Sequence, residues 1–234
     1  MGMISDKLFA LLRQTDTPTV CNAIEVAQGT RGFANFTRQT IFITEKEAPS
    51  LVGYAMTAKI SAMAPSEDPA DVTAQRRMDY YKYVAKGPRP TVVVIQDEDG
   101  PNACGAFWGE VNTTIHKGFG VEGAVTNGLV RDLDALPTGF PVIAGAVGPS
   151  HAFVHVTDFD TPVQLFGMIV SPNDLIHADR HGALVIPESV HDTLEEAIAK
   201  LIECEKLILE PASKDGFDYA AFEAAWAAFE KART

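Results

Sequence analysis

The chain has 234 residues, of which 46% are hydrophobic and 21% are charged, as in an ordinary globular protein. Its net charge of -12 repels phosphate backbones, and no stretch of about 18 apolar residues is present, so neither nucleic acid nor a membrane is an expected partner. The cysteines are few and widely spaced, which predicts reduced thiols and a cytoplasmic location rather than a disulfide framework.

The first ninety residues combine helical and extended patterns. Apolar residues at helical spacing predict three helices, over residues 5–14, 17–28 and 68–86. Between them, residues 40–45 and 51–63 have the composition of strands, and Gly53 suggests a bulge in the second strand.

The middle of the chain has a different pattern of apolar residues. Continuous apolar runs predict strands that are buried on both faces, over residues 91–97, 122–130 and 141–147. A short helix over residues 109–120 and a single helical turn over residues 131–136 separate these strands. Strands and helices that alternate at this spacing predict parallel βαβ units, and the expected fold class is therefore α/β.

The remainder of the chain predicts a β-rich lobe followed by helices. Short β segments separated by turns occupy residues 153–187, and two helices follow over residues 188–210 and 218–232. The last helix carries an aromatic stripe at helical spacing, which indicates the core or a subunit interface rather than a cofactor site: Phe222, Trp226 and Phe229.

The stretch "TNGLVRDLDAL" places Arg131 and Asp132 directly after a predicted buried strand. In parallel sheets, ligands collect at the carboxyl ends of the strands. The guanidinium of Arg131 can bind a carboxylate through two hydrogen bonds, and the carboxylate of Asp132 is a ligand of the kind that Mg²⁺ prefers. The alternative interpretation is a surface ion pair at a helix start, where the helix dipole favours Asp.

The predicted helix that begins near Gly109 supplies a second element of a site. The first backbone N–H groups of a helix have no internal partner and attract anions, and a glycine lets a ligand approach closely. We expect this segment to hold the carboxylate of a 2-keto acid through its backbone: Gly109, Glu110, Val111 and Asn112.

Several segments, in order, resemble one known family. They are TPTVCNAI and LVGYAMTA, then WGEV followed by GLVRDLDAL, FPVIAGAVGPS and SPNDLIHADRHGALVIP. The family contains the 4-hydroxy-4-methyl-2-oxoglutarate and 4-carboxy-4-hydroxy-2-oxoadipate aldolases together with the regulator of ribonuclease activity A. The segments cover most of the chain, and the spacing from Gly109 to Arg131 and Asp132 agrees with the family as well as the residue types.

The resemblance implies one domain over residues 1–234 with a swivelling β/β/α fold (RraA-like). In this fold, mixed sheets with parallel βαβ units are flanked by amino-terminal helices at about 4–28 and carboxyl-terminal helices at about 188–232. The resemblance also implies a homotrimer or homohexamer, and Mg²⁺ or Mn²⁺ as a cofactor bound by Asp132. Arg131 would contact the pyruvyl part of a keto-acid substrate, and the backbone of residues 109–112 would hold its carboxylate.

The activity that the resemblance implies is that of a metal-dependent class II aldolase. A 4-hydroxy-2-keto acid such as 4-hydroxy-4-methyl-2-oxoglutarate would be cleaved to pyruvate through an enolate that the metal stabilises. Oxaloacetate gives the same enolate when it loses CO₂, so decarboxylation is an expected side activity. No Schiff base is required, and Lys59 and Lys117 are interpreted as surface residues.

Two other functions are compatible with the same pattern. One is a non-catalytic regulator that binds a partner protein, which the presence of Asp132 beside Arg131 disfavours. The other is an enzyme on the same scaffold that acts on a different keto or sugar acid.

Three features depart from the family pattern. Ala135 replaces an acid, with Asp134 one residue earlier, and Asn173 replaces a glycine in a turn that Asn can also adopt. The third is a long connection over residues 61–90. Some of its side chains either form a solvated helix face with a packed aromatic edge or reach a substrate or neighbouring subunit: Arg76, Arg77, Tyr80 and Tyr81.

The histidines are the other candidates for chemistry. The pairs His151/His155 and His177/His181 have the spacing of zinc ligands, but without an evident third ligand they are interpreted as satisfied or surface residues. His116, in the helix that begins near Gly109, could line the pocket but is not included among the site residues.

Overall fold

The computed structural model describes residues 3–233. Six α-helices occur in this part of the chain: α1 (Asp6–Gln14), α2 (Thr17–Gln28), α3 (Ala70–Lys86), α4 (Glu110–Gly118), α5 (Leu194–Ala212) and α6 (Tyr219–Arg233). Each coincides with a predicted helix, except that the start of the predicted helix over residues 188–210 is a 3-10 turn. The predicted domain limits at residues 1 and 234 lie outside the described residues.

The first two helices begin at polar caps. The hydroxyl of Ser5 accepts a hydrogen bond from the N–H of Leu8 (3.1 Å), and the carboxylate of Asp16 accepts one from the N–H of Thr19 (2.9 Å). Gly29 ends α2 in the left-handed conformation, at φ 65°. These local signals explain why both helices could be predicted with accurate limits.

The same part of the chain contains thirteen strands: β1 (Phe42–Ile43), β2 (Leu51–Ser61), β3 (Thr91–Asp97), β4 (Ala106–Trp108), β5 (Val121–Thr126), β6 (Leu129–Val130), β7 (Val142–Ala144), β8 (Ala146–Val147), β9 (His155–Phe159), β10 (Val163–Leu165), β11 (Met168–Val170), β12 (Leu175–Asp179) and β13 (Gly182–Ile186). Eight of them form the main sheet, in the order β1-β7-β5-β3-β2-β12-β13, with β9 also pairing with β2. Strands β2, β3, β5 and β7 are parallel, and α3 and α4 connect the pairs β2–β3 and β3–β5. The predicted α/β class, with mixed sheets and parallel βαβ units flanked by helices, is confirmed.

Two of the predicted strands are each divided in two. Residues 122–130 form β5 and β6, and residues 141–147 form β7 and β8. Strands β4, β6 and β8 pair in parallel as a separate small sheet. They follow β3, β5 and β7 in the same lateral order, so the small sheet continues the main sheet beyond a break.

Asn127 and Gly145 lie at this break. The Asn127 side chain replaces strand pairing: Nδ2 donates to the carbonyl oxygen of Asp97 (2.9 Å), and Oδ1 accepts from the N–H of Asp97 (2.7 Å). A Cβ on Gly145 would lie 2.3 Å from the carbonyl oxygen of Asn127, so no larger residue fits there. The prediction of continuous strands was wrong. The sequence on both sides of the break is apolar and therefore indicates one strand, whereas the hydrogen bonds that cause the break join residues far apart in the sequence.

The expectation of a separate β-rich lobe was also wrong. Strands β9 and β12 pair with β2, β13 extends the main sheet, and only β10 and β11 form an independent hairpin. Gly53 is not in a bulge, because it pairs regularly with Ile176. The irregularity in β2 falls between Lys59 and Ile60.

The main sheet is covered on both faces. Helix α3 shares a buried cluster with Val93 and Ile95, α4 packs on β4 and β5, and the β10–β11 hairpin covers Val92 and Val94 on the opposite face. Helices α1, α2 and α5 pack against β2, β12 and β13. Within residues 3–233, no helix has both the length and the apolar character needed to cross a membrane.

The aromatic stripe of α6 is not buried by the chain itself. Helix α6 packs on α5, yet Phe222 and Trp226 remain 38% and 44% exposed. The core interpretation of the stripe is therefore wrong for these two residues, and the interface interpretation stays a prediction.

Candidate functional site

The residues singled out from the sequence meet at the carboxyl end of the small sheet. Gly109 follows β4 and precedes α4, while Arg131 and Asp132 follow β6. Strands β4 and β6 are neighbours, and the N–H of Arg131 donates to the carbonyl oxygen of Trp108 (2.8 Å). The three residues thus lie at the ends of parallel strands, although these strands belong to the small sheet and not to the main one.

Asp132 directs its carboxylate back toward the start of α4. Its backbone is in the left-handed region (φ 56°, ψ 39°), which Asp adopts more readily than most residues. Oδ2 accepts a hydrogen bond from the N–H of Glu110 (3.2 Å) and lies 3.6 Å from Nε of Arg131. The ion pair between Arg131 and Asp132 that the alternative interpretation predicts is therefore present. Its carboxylate, however, bonds to the start of α4 and not to the helical turn over residues 131–136.

Gly109 is required by this arrangement. A Cβ at this position would lie 2.6 Å from Oδ2 of Asp132, 3.0 Å from Cγ of Arg131 and 3.1 Å from its Nε. The backbone of Gly109 is extended (φ -158°, ψ -173°), a conformation open to any residue. The reason for glycine is therefore the close approach of Arg131 and Asp132, not the backbone angles.

The site retains unused capacity to bind an anion. Nε of Arg131 is buried and has no hydrogen-bond partner within the described chain. In the first turn of α4, the N–H groups of Val111 and Asn112 have no intrahelical acceptor because of helix geometry. A carboxylate at the start of α4 would accept hydrogen bonds from these backbone N–H groups, and the positive charge of Arg131 beside it would favour an anion there.

The four residues of the predicted cradle differ in how their side chains are used. Glu110 and Val111 point to solvent, and Val111 is 66% exposed. The side chain of Asn112 is engaged inside the protein: Nδ2 donates to the carbonyl oxygen of Phe107 (2.6 Å), and Oδ1 accepts from the hydroxyl of Tyr81 (2.6 Å). Only the backbone of Asn112 remains for a ligand, as the sequence-based hypothesis assumed.

His116 lies behind the site and does not line it. Its ring is fully buried, with Nδ1 2.6 Å from the carbonyl oxygen of Asn112 and Nε2 2.7 Å from the hydroxyl of Tyr80. Because Nδ1 faces a carbonyl, it must carry the proton, and Nε2 then accepts from Tyr80. Burial lowers the pKa of His116 to about 4, which keeps the ring neutral at physiological pH.

Asp97 is a buried acid that sequence reasoning missed. It ends β3 and is 1% exposed; Oδ1 accepts from the N–H of Asp99 (3.0 Å), while Oδ2 has no partner within residues 3–233. Burial raises the pKa of Asp97 to about 6, and the nearby charges of Asp99 and Glu98 add to the shift. One feature of the sequence could have identified Asp97. It is the last residue of the apolar run TVVVIQD, so its carboxylate belongs to a strand that is predicted to be buried.

The histidine pairs have ordinary structural roles. His177 is buried: Nδ1 lies 3.1 Å from the hydroxyl of Thr17, and Nε2 lies 3.0 Å from the carbonyl oxygen of Leu12. His181 bonds to Asp179, and His151 and His155 each lie close to a backbone carbonyl. Their contacts favour the interpretation as satisfied or surface residues.

Other departures from the family pattern are also explained. Asn173 adopts the expected left-handed conformation, at φ 69°. Within the long connection, Arg76 pairs with Asp68 (2.7 Å) and Tyr80 is fully buried, as expected for a solvated helix with a packed aromatic edge. Lys59 is 3.6 Å from Asp158 and Lys117 donates to a backbone carbonyl, so neither has the burial of a Schiff-base lysine.

The metal-binding groups at the site, a single carboxylate from Asp132, suit a metal ion such as Mg²⁺. In the described part of the chain, no three His, Cys, Asp or Glu side chains are grouped closely enough to hold a metal. Asp132 would be a single carboxylate ligand: Oδ2 accepts from Glu110, and Oδ1 accepts no hydrogen bond from the described residues. Mg²⁺ is bound in this way, through one or two carboxylates with water and substrate oxygens, whereas zinc sites need three or four protein ligands.

Comparison with known proteins identifies relatives of the whole architecture. A family model described as RraA-like, Aldolase/RraA, matches residues 17–185. Protein DlpA of Legionella pneumophila is 32% identical over 125 residues, which are 51% of this chain and 19% of DlpA. The chain therefore spans about a fifth of the length of that relative.

Solved structures agree with the fold. A protein from Pseudomonas syringae pv. tomato superposes with a TM-score of 0.68 at 20% identity, over 99% of this chain and 95% of that one. Streptomyces coelicolor RraAS2, described as an unusual member of the RNase ES inhibitor RraA protein family, superposes with a TM-score of 0.65 at 20% identity, over 92% of this chain and 100% of that one. At this identity the likeness establishes the fold.

Proposed function

The chain belongs to the RraA-like family, and from this membership together with the site geometry we propose that it is a divalent-metal-dependent lyase. Its proposed reaction is cleavage of a 4-hydroxy-2-keto acid, such as 4-hydroxy-4-methyl-2-oxoglutarate, to pyruvate. Decarboxylation of oxaloacetate is the proposed side activity. The residues proposed to carry the reaction are Gly109, Glu110, Val111 and Asn112 for binding, Arg131 for binding and catalysis, and Asp132 for catalysis and as the metal ligand.

The observation that carries the proposal is the convergence of Gly109, Arg131 and Asp132. A Cβ on Gly109 would overlap both other side chains, so the guanidinium and the carboxylate lie directly against the start of α4. A small ligand bound beside them would therefore contact all three groups. Within the described residues, Nε of Arg131 has an ion-pair contact with Asp132 (3.6 Å) but no hydrogen bond, and only Oδ2 of Asp132 accepts one. A 2-keto acid offers a carboxylate for the N–H groups and the guanidinium, and a keto oxygen for a metal at Asp132.

Mg²⁺ or Mn²⁺, when bound at Asp132, would supply a Lewis acid that draws charge from the keto oxygen. The chain's own groups orient the substrate. The N–H groups of Val111 and Asn112 and the guanidinium of Arg131 would hold the carboxylate and align the bond between C3 and C4 for cleavage. As that bond breaks, its electron pair moves toward the keto oxygen, and the positive charge of Arg131 stabilises the resulting enolate. The 4-hydroxyl gives its proton to a water molecule and becomes a carbonyl. C3 of the enolate takes a proton from water, which completes pyruvate, so no net proton is gained or lost.

A homotrimer or homohexamer is proposed on the same basis. In the single chain the side chains of Arg131 and Asp132 are about one third exposed. Exposed apolar side chains lie on the neighbouring elements: Val111, Leu133 and Val147 are 66%, 42% and 47% exposed. Exposed large apolar side chains of this kind are typical of a protein interface when they adjoin one another. A second subunit that packs there would exclude water from the keto acid.

The test is an assay of pyruvate release from 4-hydroxy-4-methyl-2-oxoglutarate and from oxaloacetate, with Mg²⁺ or Mn²⁺ and with EDTA. We expect release that EDTA abolishes. Asp132→Ala should reduce kcat/KM by at least about a hundredfold, the size of effect found for groups that stabilise developing charge. Asp134→Asn is the matched control, because it removes a carboxylate from the exposed turn two residues away and should leave the rate unchanged.

Two results would contradict the proposal. One is no pyruvate from either compound by folded protein with metal, which would favour the protein-binding regulator or a different keto or sugar acid. The other is equal activity of Asp132→Ala and wild type, which would place the reaction elsewhere.

A further inference from the structure

The long connection over residues 61–90 contains α3, and α3 makes direct contact with the helix that starts at the site. The hydroxyl of Tyr81 donates to Oδ1 of Asn112 at 2.6 Å. Asn112 is the third residue of α4, in the turn whose free N–H groups face the proposed ligand. A side chain in α3 therefore bonds to the part of α4 that would hold the substrate carboxylate.

The carboxamide of Asn112 is fixed at both ends. While Oδ1 accepts from Tyr81, Nδ2 donates to the carbonyl oxygen of Phe107, in the strand that leads into Gly109. The carboxamide thus links α3, the end of β4 and the first turn of α4. Without the Tyr81 hydroxyl, Oδ1 would lose its partner and the carboxamide would be held by one bond only.

A second contact from α3 reaches the same residue. Tyr80 is fully buried and its hydroxyl bonds to Nε2 of His116, whose Nδ1 donates to the carbonyl oxygen of Asn112. The rings of Tyr80 and Tyr81 each lie 5.7 Å from that of His116, so packing supports the hydrogen bonds. The main chain and the side chain of Asn112 are therefore both connected to α3.

We propose that Tyr81 is a positioning residue, which sets the affinity of the site for a keto-acid carboxylate by fixing the first turn of α4 through Asn112. The inference rests on the proposed function, since it concerns the same ligand. Tyr81 touches neither substrate nor metal in this scheme. Backbone N–H groups bind the carboxylate in the ground state and in the transition state alike, so their displacement should change binding more than turnover.

The test compares Tyr81→Phe with Tyr83→Phe, a matched control on the same helix. Tyr83 is also half-buried, but its hydroxyl accepts from the N–H of Thr57 in β2 and has no bond to α4. Pyruvate is titrated into each protein by calorimetry in the presence of Mg²⁺, and the kinetics of pyruvate release are measured in parallel. Thermal melting monitored by circular dichroism confirms that the variants are folded.

For Tyr81→Phe we expect the Kd for pyruvate and the KM to rise about three- to tenfold, the effect of one hydrogen bond, with kcat within about twofold of wild type. Tyr83→Phe should match wild type in both. Asn112→Ala should weaken pyruvate binding at least as much as Tyr81→Phe. The double variant should bind pyruvate as tightly as Asn112→Ala, because Tyr81 acts only through Asn112.

The outcomes separate this inference from the proposed function. An unchanged Kd in Tyr81→Phe, an equal weakening in Tyr83→Phe, or a fall in kcat at constant KM would overturn the positioning role. Wild-type protein that binds pyruvate but cleaves neither substrate contradicts the lyase proposal alone, and the titrations of the variants still decide the role of Tyr81. Wild-type protein that neither binds pyruvate nor cleaves either substrate contradicts both.

Discussion

Substitution of Gly109 by Ala tests whether the contact between α4 and the Arg131–Asp132 pair matters for activity. The added Cβ would lie 2.6 Å from Oδ2 of Asp132, whereas ordinary van der Waals contact begins at 3.4 Å. The carboxylate must therefore recede by at least about 0.8 Å, and the Arg131 side chain by a few tenths of an ångström. The extended backbone at Gly109 suits Ala, so no strain comes from φ or ψ.

This displacement should affect activity more than stability. It breaks the hydrogen bond from the N–H of Glu110 to Oδ2, which is 3.2 Å long. Water can replace that bond because the Asp132 side chain is 34% exposed, so we expect a loss of only about 1 kcal/mol in the free energy of unfolding. A catalytic group misplaced by roughly 1 Å can cost about a hundredfold in rate, which corresponds to about 2.7 kcal/mol.

The assay is pyruvate release at saturating Mg²⁺, with stability measured by urea unfolding. Gly118→Ala is the matched control, because it adds the same methyl group to the other end of α4, where nothing lies within 4 Å. We expect kcat/KM to fall by roughly thirty- to a hundredfold for Gly109→Ala and to stay constant for Gly118→Ala. Full activity in a folded Gly109→Ala protein would refute the assigned geometry of Arg131 and Asp132.

Two further predictions concern the break between the sheets. The pKa of Asp97 is raised to about 6, so the folded state binds the carboxyl proton more tightly than the unfolded state does. The protonated carboxyl therefore contributes to stability below about pH 4, and this contribution is lost as the pH rises through about 6. Asp97→Asn should therefore be more stable than wild type at pH 8, by up to about 3 kcal/mol, with a smaller difference at pH 4.5; equal differences in urea unfolding at both values would contradict the raised pKa. Gly145→Ala should lower the free energy of unfolding by about 2–3 kcal/mol, because its Cβ would lie 2.3 Å from a backbone oxygen that cannot easily move; a melting temperature equal to that of wild type would show that the break adapts.

Most of the elements could be predicted because their signals are local. Helices α1 and α2 have polar caps and a regular apolar spacing, and β3 is a continuous apolar run. The division of the strands could not be predicted in this way. It depends on the Asn127 side chain bonding to Asp97 across the sheet, a contact between residues thirty positions apart. An Asn-Gly pair inside an apolar run indicates a turn at most, not a change of sheet.

The candidate site shows a similar limit. The chemistry of Arg131 and Asp132 could be inferred from residue types. The helix start at Gly109 was expected to join them because such a start binds anions, and the spacing shared with a family supported that expectation. Two features had no usable signal: the left-handed backbone of Asp132, which directs its carboxylate to α4, and the bond from Tyr81 to Asn112. Both depend on how separate segments are brought together, and spacing along one segment does not report that.

The short strands of the small sheet have a consequence for dynamics. Strands β4, β6 and β8 contain two or three residues each, whereas β2 and β3 contain eleven and seven, so few interstrand bonds hold the segment that precedes the site. Amide protons in such a unit exchange with solvent through local opening, while those in the centre of a long sheet require global unfolding. A ligand that bridges Gly109 and Asp132 would then slow exchange in the small sheet selectively. The protein could tighten its binding region on ligand capture while its overall folding free energy, set mainly by the larger sheet and its three clusters of buried side chains, changed little.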